Sequence, residues 1–274
     1  ISSISIEWAC ASSNSIGDVH GISPHDLAAL EKRAGEVFDD LRARRFSGEL
    51  PFFDLPYRKA EAKNIEKLGR ALRKSCENFV VLGIGGSALG AKALFSSLCS
   101  PYHNLLSKGK KEGSPRIFIL DNIDPEGFSS FLEIVDIRKT IFNVVSKSGK
   151  TMETMAQFAI VWELLKKSLG KKAKDRIIVT TGRTGNPLRS LAEKEGYRIL
   201  DIPDEVGGRF SVFTSVGLLP ASVMGVDIAG LLNGARAMDE ACQGKNILKN
   251  QALLFASILY LMDVGKKKHT VVMM

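Results

Sequence analysis

Cysteine and histidine are both scarce in this 274-residue chain, with four of each. Cys10, Cys76, Cys99 and Cys242 form no C-x-x-C pair, and no histidine stands at zinc spacing from them, so neither a metal centre nor a disulfide scaffold organises the fold. Scattered thiols fit a reducing, cytoplasmic setting. No cofactor is called for. Of the histidines, His20 falls in an N-terminal arm, His25 at a helix start, His103 in a loop and His269 at a terminal strand edge, and none is placed as a persuasive general base. No run of about 18 apolar residues occurs and the first residues lack the layout of a signal peptide, which argues against a membrane span or export. Aromatics are only 7% of the chain, and the basic runs (Arg42-Ala43-Arg44-Arg45, Lys108-Gly109-Lys110-Lys111, Lys166-Lys167, Lys171-Lys172, Lys266-Lys267-Lys268) have no aromatics interleaved to stack on bases. The net charge of +8 therefore reads as solvated surface that attracts anionic metabolites, not as a nucleic-acid face.

What is present is ordinary globular material, 45% hydrophobic and 25% charged, enough for one large or two small domains. Residues 1–22 carry no sustained period and read as an irregular arm. Ser23-Pro24-His25-Asp26 then starts a helix with Ser23 as cap, and Leu27, Leu30, Val37, Phe38 and Leu41 line one stripe as far as about Phe46. A Pro/Phe-rich connector at 51–56 leads to a second amphipathic helix over 59–75, with Ile65, Leu68 and Leu72 on its apolar side. From Asn78 the pattern becomes strand–helix alternation. Strands are expected at Phe79–Ile84, Arg116–Asp121, Ile141–Val145, Arg176–Thr181 and Arg198–Ile202, and their continuous apolar runs suit a parallel sheet buried on both faces. Helices are expected at 87–98, from Asp124-Pro125-Glu126, after Thr151 (burying Met155, Phe158, Ala159, Trp162 and Leu165) and near 185–195. The result is an α/β fold, a doubly wound parallel five-stranded sheet with ligands at the carboxyl ends of its strands. Helices at about 214–224, 227–242 and 248–264 follow, and Thr270–Met274 resembles the start of another strand.

Three stretches carry chemistry. Val144-Val145-Ser146-Lys147-Ser148-Gly149-Lys150-Thr151 takes an apolar strand into hydroxyls, glycine and lysine and then opens a helix. The first N–H groups of a helix have no intrahelical partner and its dipole favours an anion there, so this is either a phosphate cradle or an ordinary Ser/Thr cap. Gly83-Ile84-Gly85-Gly86-Ser87-Ala88 matches G-x-G-x-x-A after a strand. A dinucleotide site also expects an acidic residue some 20 positions on, where only Lys108-Gly109-Lys110-Lys111 stands. A tight turn, or a small-molecule site in which Gly86 and Ser87 face the Ser146 loop, remains. In Gly207-Gly208-Arg209 two glycines let the main chain approach a ligand, and Arg209 offers a fixed cation for a developing oxyanion or, more plainly, a surface salt bridge.

Taken together, Gly83 to Ser87, Ser146 to Thr154 and Val206 to Ser211, followed by Thr214 to Asp227, resemble the phosphoglucose isomerase family and its sugar-isomerase (SIS) fold from about residue 20 onward. The resemblance implies aldose–ketose isomerisation of glucose 6-phosphate and fructose 6-phosphate through an enediolate, without metal or nucleotide, in a homodimer. It implies that Ser146, Lys147, Ser148 and Thr151 hold the phosphate, that Gly86, Ser87 and Gly208 contact the sugar and that Arg209 is catalytic, stabilising the enediolate. Lys150 departs from the family pattern, where threonine is common. The family's glutamate base, ring-opening histidine and late lysine belong to motifs beyond Met274. With Ile1 in place of a start methionine, the expectation is an N-terminal fragment: an arm and helices at 1–75, a first subdomain at 76–205, and at 206–274 the Gly-Gly-Arg loop and the start of a second subdomain. The alternative is a non-catalytic domain that senses sugar phosphates.

Overall fold

A computed structural model describes residues 4–273. It divides into two compact units, one of residues 54–232 and one of residues 1–53 with 233–274. These boundaries differ from the expected division at 75/76 and 205/206. The physical reason is packing: the helix over 59–75 buries its apolar stripe against the sheet unit, while the 24–46 helix packs with the last helix.

The unit of residues 54–232 is built on five strands, β1 (Asn78–Leu82), β2 (Arg116–Leu120), β3 (Thr140–Ser146), β4 (Ile177–Gly182) and β5 (Arg198–Ile202). All pair in parallel in the order β2-β1-β3-β4-β5. Every residue of β1, β3 and β4 is buried, as the unbroken apolar runs require when both faces are covered. Phe79, Val81, Ile141, Val145 and Ile178 face α3 (Lys59–Ser75), α4 (Leu89–Leu98) and α8 (Ser215–Met224). Val80, Leu82, Phe142, Val144 and Val179 face α5 (Pro125–Ile134), α6 (Met152–Leu169) and α7 (Pro187–Glu195). The three-layer, doubly wound reading holds. Fully buried Phe79 and Phe142 anchor one face each, and truncating either to alanine costs about 3–5 kcal/mol. All ten residues of α8 are buried, which explains why its sequence is apolar all round instead of striped.

Local differences from the sequence reading have local causes. A single turn of 3-10 helix takes Gly85–Ser87, so α4 begins at Leu89 rather than 87. Along α6, Phe158 and Leu165 are buried as expected, but Ala159 is exposed and Trp162 and Met155 are half-buried, because the buried stripe runs through Thr154, Gln157, Phe158, Val161 and Leu165.

In the other unit the expected irregular arm is ordered. Ala9–Ala11 forms a 3-10 turn, α1 covers Ser13–Ile16, and Ser12 and Ile22 form an isolated parallel bridge. Ile22 is fully buried with Leu27, Ile247, Leu254 and Ile258, an attachment that a search for periodicity cannot detect. In α2 (Pro24–Phe46) Ser23 caps the helix as expected and the Asp26 carboxylate accepts from the Ser23 amide in return, completing a capping box, but Val37 and Leu41 of the predicted stripe are exposed. After α9 (Ile228–Ala241), the 248–264 helix is α10 (Gln251–Tyr260) followed by a π-helical turn at Leu261–Gly265. No strand forms over 270–273: a strand exists only when paired, and among the described residues nothing pairs with this segment. Met274 lies outside the described residues. Among them no helix is long and apolar enough to cross a membrane.

Candidate functional site

In this strand order the crossovers leave β1 and β3 toward opposite faces, α4 on one and α6 on the other. Adjacent parallel strands whose connections diverge open a crevice at their carboxyl ends, and such switch points hold ligands in open α/β sheets. Leu82 of β1 pairs with Val144 of β3, so the Gly83–Ser87 turn and the Ser146–Thr151 loop leave the sheet side by side. Two of the three chemical stretches are thereby brought together.

The α6 start is open. Thr151 occupies the N-cap position, yet no side chain caps the helix. Its hydroxyl lies 2.9 Å from Ser146 Oγ instead. Ser146 is buried and its Oγ also accepts from the Gly149 amide (3.1 Å), so this hydroxyl holds the loop's shape from inside. Gly149 has φ +64°, and an added Cβ would stand 2.2 Å from Asn186 Oδ1, so both backbone conformation and space demand glycine. Ser148 and Lys150 are exposed, with Ser148 Oγ accepting from the Lys150 amide at 3.2 Å. No side chain therefore satisfies the first N–H groups of α6 as an ordinary Ser/Thr cap would.

Lys147, expected to hold the phosphate, has its ammonium engaged by main-chain carbonyls. Its Nζ donates to the carbonyls of Asp204 (2.6 Å) and Val206 (2.9 Å), leaving one N–H. Its positive charge stays in the loop, but its reach is taken up by the segment that leads to Gly207-Gly208-Arg209.

That third stretch lies on the Gly83–Ala88 turn. Gly208–Phe210 is a 3-10 turn against Gly85–Ser87, so close that a Cβ on Gly86 would meet the Gly208 carbonyl oxygen at 2.5 Å. Ser211 Oγ donates to the carbonyls of Gly208 (2.8 Å) and Gly86 (3.2 Å). Ser87 is half-buried and its hydroxyl has no hydrogen-bond partner among the described residues. Arg209 is exposed and has neither an ion pair nor a hydrogen bond among them, so the surface salt bridge expected as its plainer role is absent. By contrast Arg189 on α7 is fully engaged, with Asp201 (2.9 Å), Glu193 (3.1 Å) and the Gly182 carbonyl (3.0 Å).

Sequence reading missed the supports. Asn186 caps α7 through Arg189 N (3.0 Å), accepts from Thr181 Oγ1 (3.2 Å) and backs Gly149. Thr181 also donates to the Ser146 carbonyl (2.7 Å). The Asn186-Pro187 pair was legible as a helix start, but not as the wall behind another loop. Asp204 accepts from the amides of Arg183 (3.2 Å) and Thr184 (3.1 Å). Glu205, exposed beside it, is held below the usual carboxylate range by its own amide N–H, with the Arg58 guanidinium at 3.4 Å adding to the effect. Of the histidines, His103 is buried with Nε2 3.0 Å from the Pro115 carbonyl, and burial pushes its imidazole below the ordinary range.

A model of the phosphoglucose isomerase family matches residues 63–273. Curated relatives include a glucose-6-phosphate isomerase of Carboxydothermus hydrogenoformans, 44% identical over 243 residues that make up 88% of this chain and 52% of the relative. Another, from Methanocaldococcus jannaschii, is 42% identical over 237 residues, 86% of this chain and 54% of the relative. Among solved structures, one from Thermus thermophilus described as a hypothetical protein superposes with a TM-score of 0.71 at 35% identity, covering 85% of this chain and 55% of that one. A glucose-6-phosphate isomerase from Chlamydia trachomatis gives 0.59 at 28% identity, with 75% and 38% covered. The chain spans about half the length of the curated relatives it matches.

Proposed function

This chain belongs to the phosphoglucose isomerase family, and from that premise we propose that the protein it represents interconverts glucose 6-phosphate and fructose 6-phosphate. The observation that carries the reading is the uncapped start of α6 beside the Gly86 turn, with the unpaired Arg209 on the loop seated against that turn. In this proposal the phosphate sits at the first N–H groups of α6 and takes hydrogen bonds from the hydroxyls of Ser148 and Thr151. Ser146 shapes the loop from inside, and Lys147 and Lys150 supply positive charge. Gly86, Ser87 and Gly208 meet the sugar. Arg209 faces the enediolate oxygen; a donor placed at developing charge contributes on the order of 10²–10³-fold in rate. The carboxylate that carries the proton between C1 and C2 belongs, on this reading, to the part of the relatives' length that the chain does not span. The family premise extends to a homodimeric, cytoplasmic whole protein, with which the four free cysteines agree.

Titration calorimetry with fructose 6-phosphate and with unphosphorylated fructose tests the phosphate handle. Binding of the phosphosugar alone, competed by inorganic phosphate, is expected. Equal binding of both sugars, or of neither, removes the handle and with it this reading.

A further inference from the structure

Three loops, those following β3, β4 and β5, meet at Lys147 and Asp204. The Lys147 ammonium holds the carbonyls of Asp204 and Val206 on either side of Glu205, so the chain there wraps around a half-buried cation. The Asp204 carboxylate holds the amides of Arg183 and Thr184, and Gly182 N donates to the Lys147 carbonyl at 3.1 Å. Val206 is 1% exposed and Ser211 4%, and Ser211 Oγ is bonded to Gly86 and Gly208. The exposed residues between them, Arg209 included, are thus a short span pinned at both ends.

We infer that Asp204 is a positioning residue for Arg209: its carboxylate ties residues 204–206, whose carbonyls Lys147 holds, to the loop after β4, and so makes the α6 loop and the Gly-Gly-Arg loop one body. The inference rests on the proposed phosphosugar site, deepening it, and it concerns a residue that meets no substrate there. Positioning and plain electrostatics predict opposite signs. Asp204 is an anion near an anion site, so if charge alone mattered, its removal would tighten every phosphorylated ligand. If it positions Arg209, removal leaves inorganic phosphate binding the same or tighter and weakens a ligand whose second negative charge needs Arg209.

The experiment compares inorganic phosphate with 6-phosphogluconate, whose carboxylate supplies that second charge, on the full 274-residue chain. Asp204→Ala is expected to weaken 6-phosphogluconate about tenfold while phosphate affinity stays within about twofold, and in the Arg209→Gln background the added loss should vanish. Asp204→Asn, which keeps one acceptor oxygen but no charge, should recover part of the loss. Tighter binding of both ligands by Asp204→Ala and Asp204→Asn alike, or losses that add to those of Arg209→Gln, would overturn the inference. Amide hydrogen exchange decides the linkage without any ligand: Asp204→Ala should speed exchange over 206–211 and 147–151 together, and faster exchange in neither or only one segment overturns it. Absence of 6-phosphogluconate binding by the unaltered chain counts against the phosphosugar site, while the exchange result still judges the linkage.

Discussion

The starts of α6 and α7 are built from the same parts and end in opposite states. Both follow fully buried neighbouring strands, paired at Ser146 and Thr181, and both place a polar residue in extended conformation at the N-cap, Thr151 and Asn186. Asn186 turns its Oδ1 onto the helix, and Thr151 turns its hydroxyl onto Ser146. The difference lies in what competes for the capping group, since Ser146 stands within reach of Thr151 and already receives the Gly149 amide. The same contrast recurs earlier in the chain: Asp124 caps α5 after β2, whereas α4 after β1 has no side-chain cap. Among the described helices that follow a strand of the sheet, the two open starts are those that flank the β1/β3 switch point, where a ligand can supply the missing acceptor.

The comparison breaks most severely at Gly149, where α6 and α7 touch. Gly149→Ala forces a non-glycine residue to φ +64° and drives its Cβ into Asn186 Oδ1, so both helix starts should suffer. A left-handed residue alone costs about 1–3 kcal/mol, and urea unfolding should show at least that loss together with lost phosphate binding. Asn186→Ala should destabilise by about 1–2 kcal/mol, the usual worth of a cap, with a secondary weakening of phosphate binding through the loop it backs. Thr151→Ala should do the reverse. With no cap to lose, stability should change by less than about 0.5 kcal/mol, while phosphate affinity falls roughly five- to tenfold as one hydroxyl donor disappears. If Thr151→Ala instead unfolds the chain as easily as Asn186→Ala, the two starts are equivalent and the open-site argument fails.

How much of this contrast is legible without coordinates follows from which interactions are local. The apolar runs from Phe79, Ile141 and Ile177 announce buried parallel strands, and Ser23-Pro24-x-Asp26 announces a helix start capped by Ser23, because each signal lies within a few residues of its effect. The chemical stretches are legible as types for the same reason: glycine before a helix, hydroxyls beside lysine. What Lys147 touches is not, because its partners lie 57 and 59 residues away and nothing near Asp204 or Val206 marks their carbonyls as acceptors. Nor can the sequence separate a capping Asn186 from a non-capping Thr151, since the choice depends on Ser146, set by the strand before it. The ordering of residues 9–22 is hidden likewise, as Ile22 is buried by Leu254 and Ile258 from the other end of the chain.

The smallest effect sharpens the comparison by separating the site from the fold. His103 is buried against Phe95 (ring centroids 5.5 Å apart), and burial lowers its pKa from the ordinary 6.5, with Lys111 acting in the same direction and the Pro115 carbonyl opposing both. A lowered pKa means the unfolded chain binds the proton first. Its contribution to stability is therefore complete above about pH 6.5 and is lost as the pH falls toward the folded-state value. His103→Gln should be the less stable protein at about pH 7.5, having lost the ring contact, and the gap in Tm should narrow at about pH 5.5. The narrowing should be no more than about 2–4 °C, the shift that 1 kcal/mol produces in a chain of this size. Over the same range the ratio of phosphate affinities between the unaltered chain and Thr151→Ala should stay constant, because the hydroxyl of Thr151 does not titrate. A ratio that tracks the His103 transition would tie the α6 start to the stability of the whole sheet unit, and its openness would then be a property of the fold and not of a site.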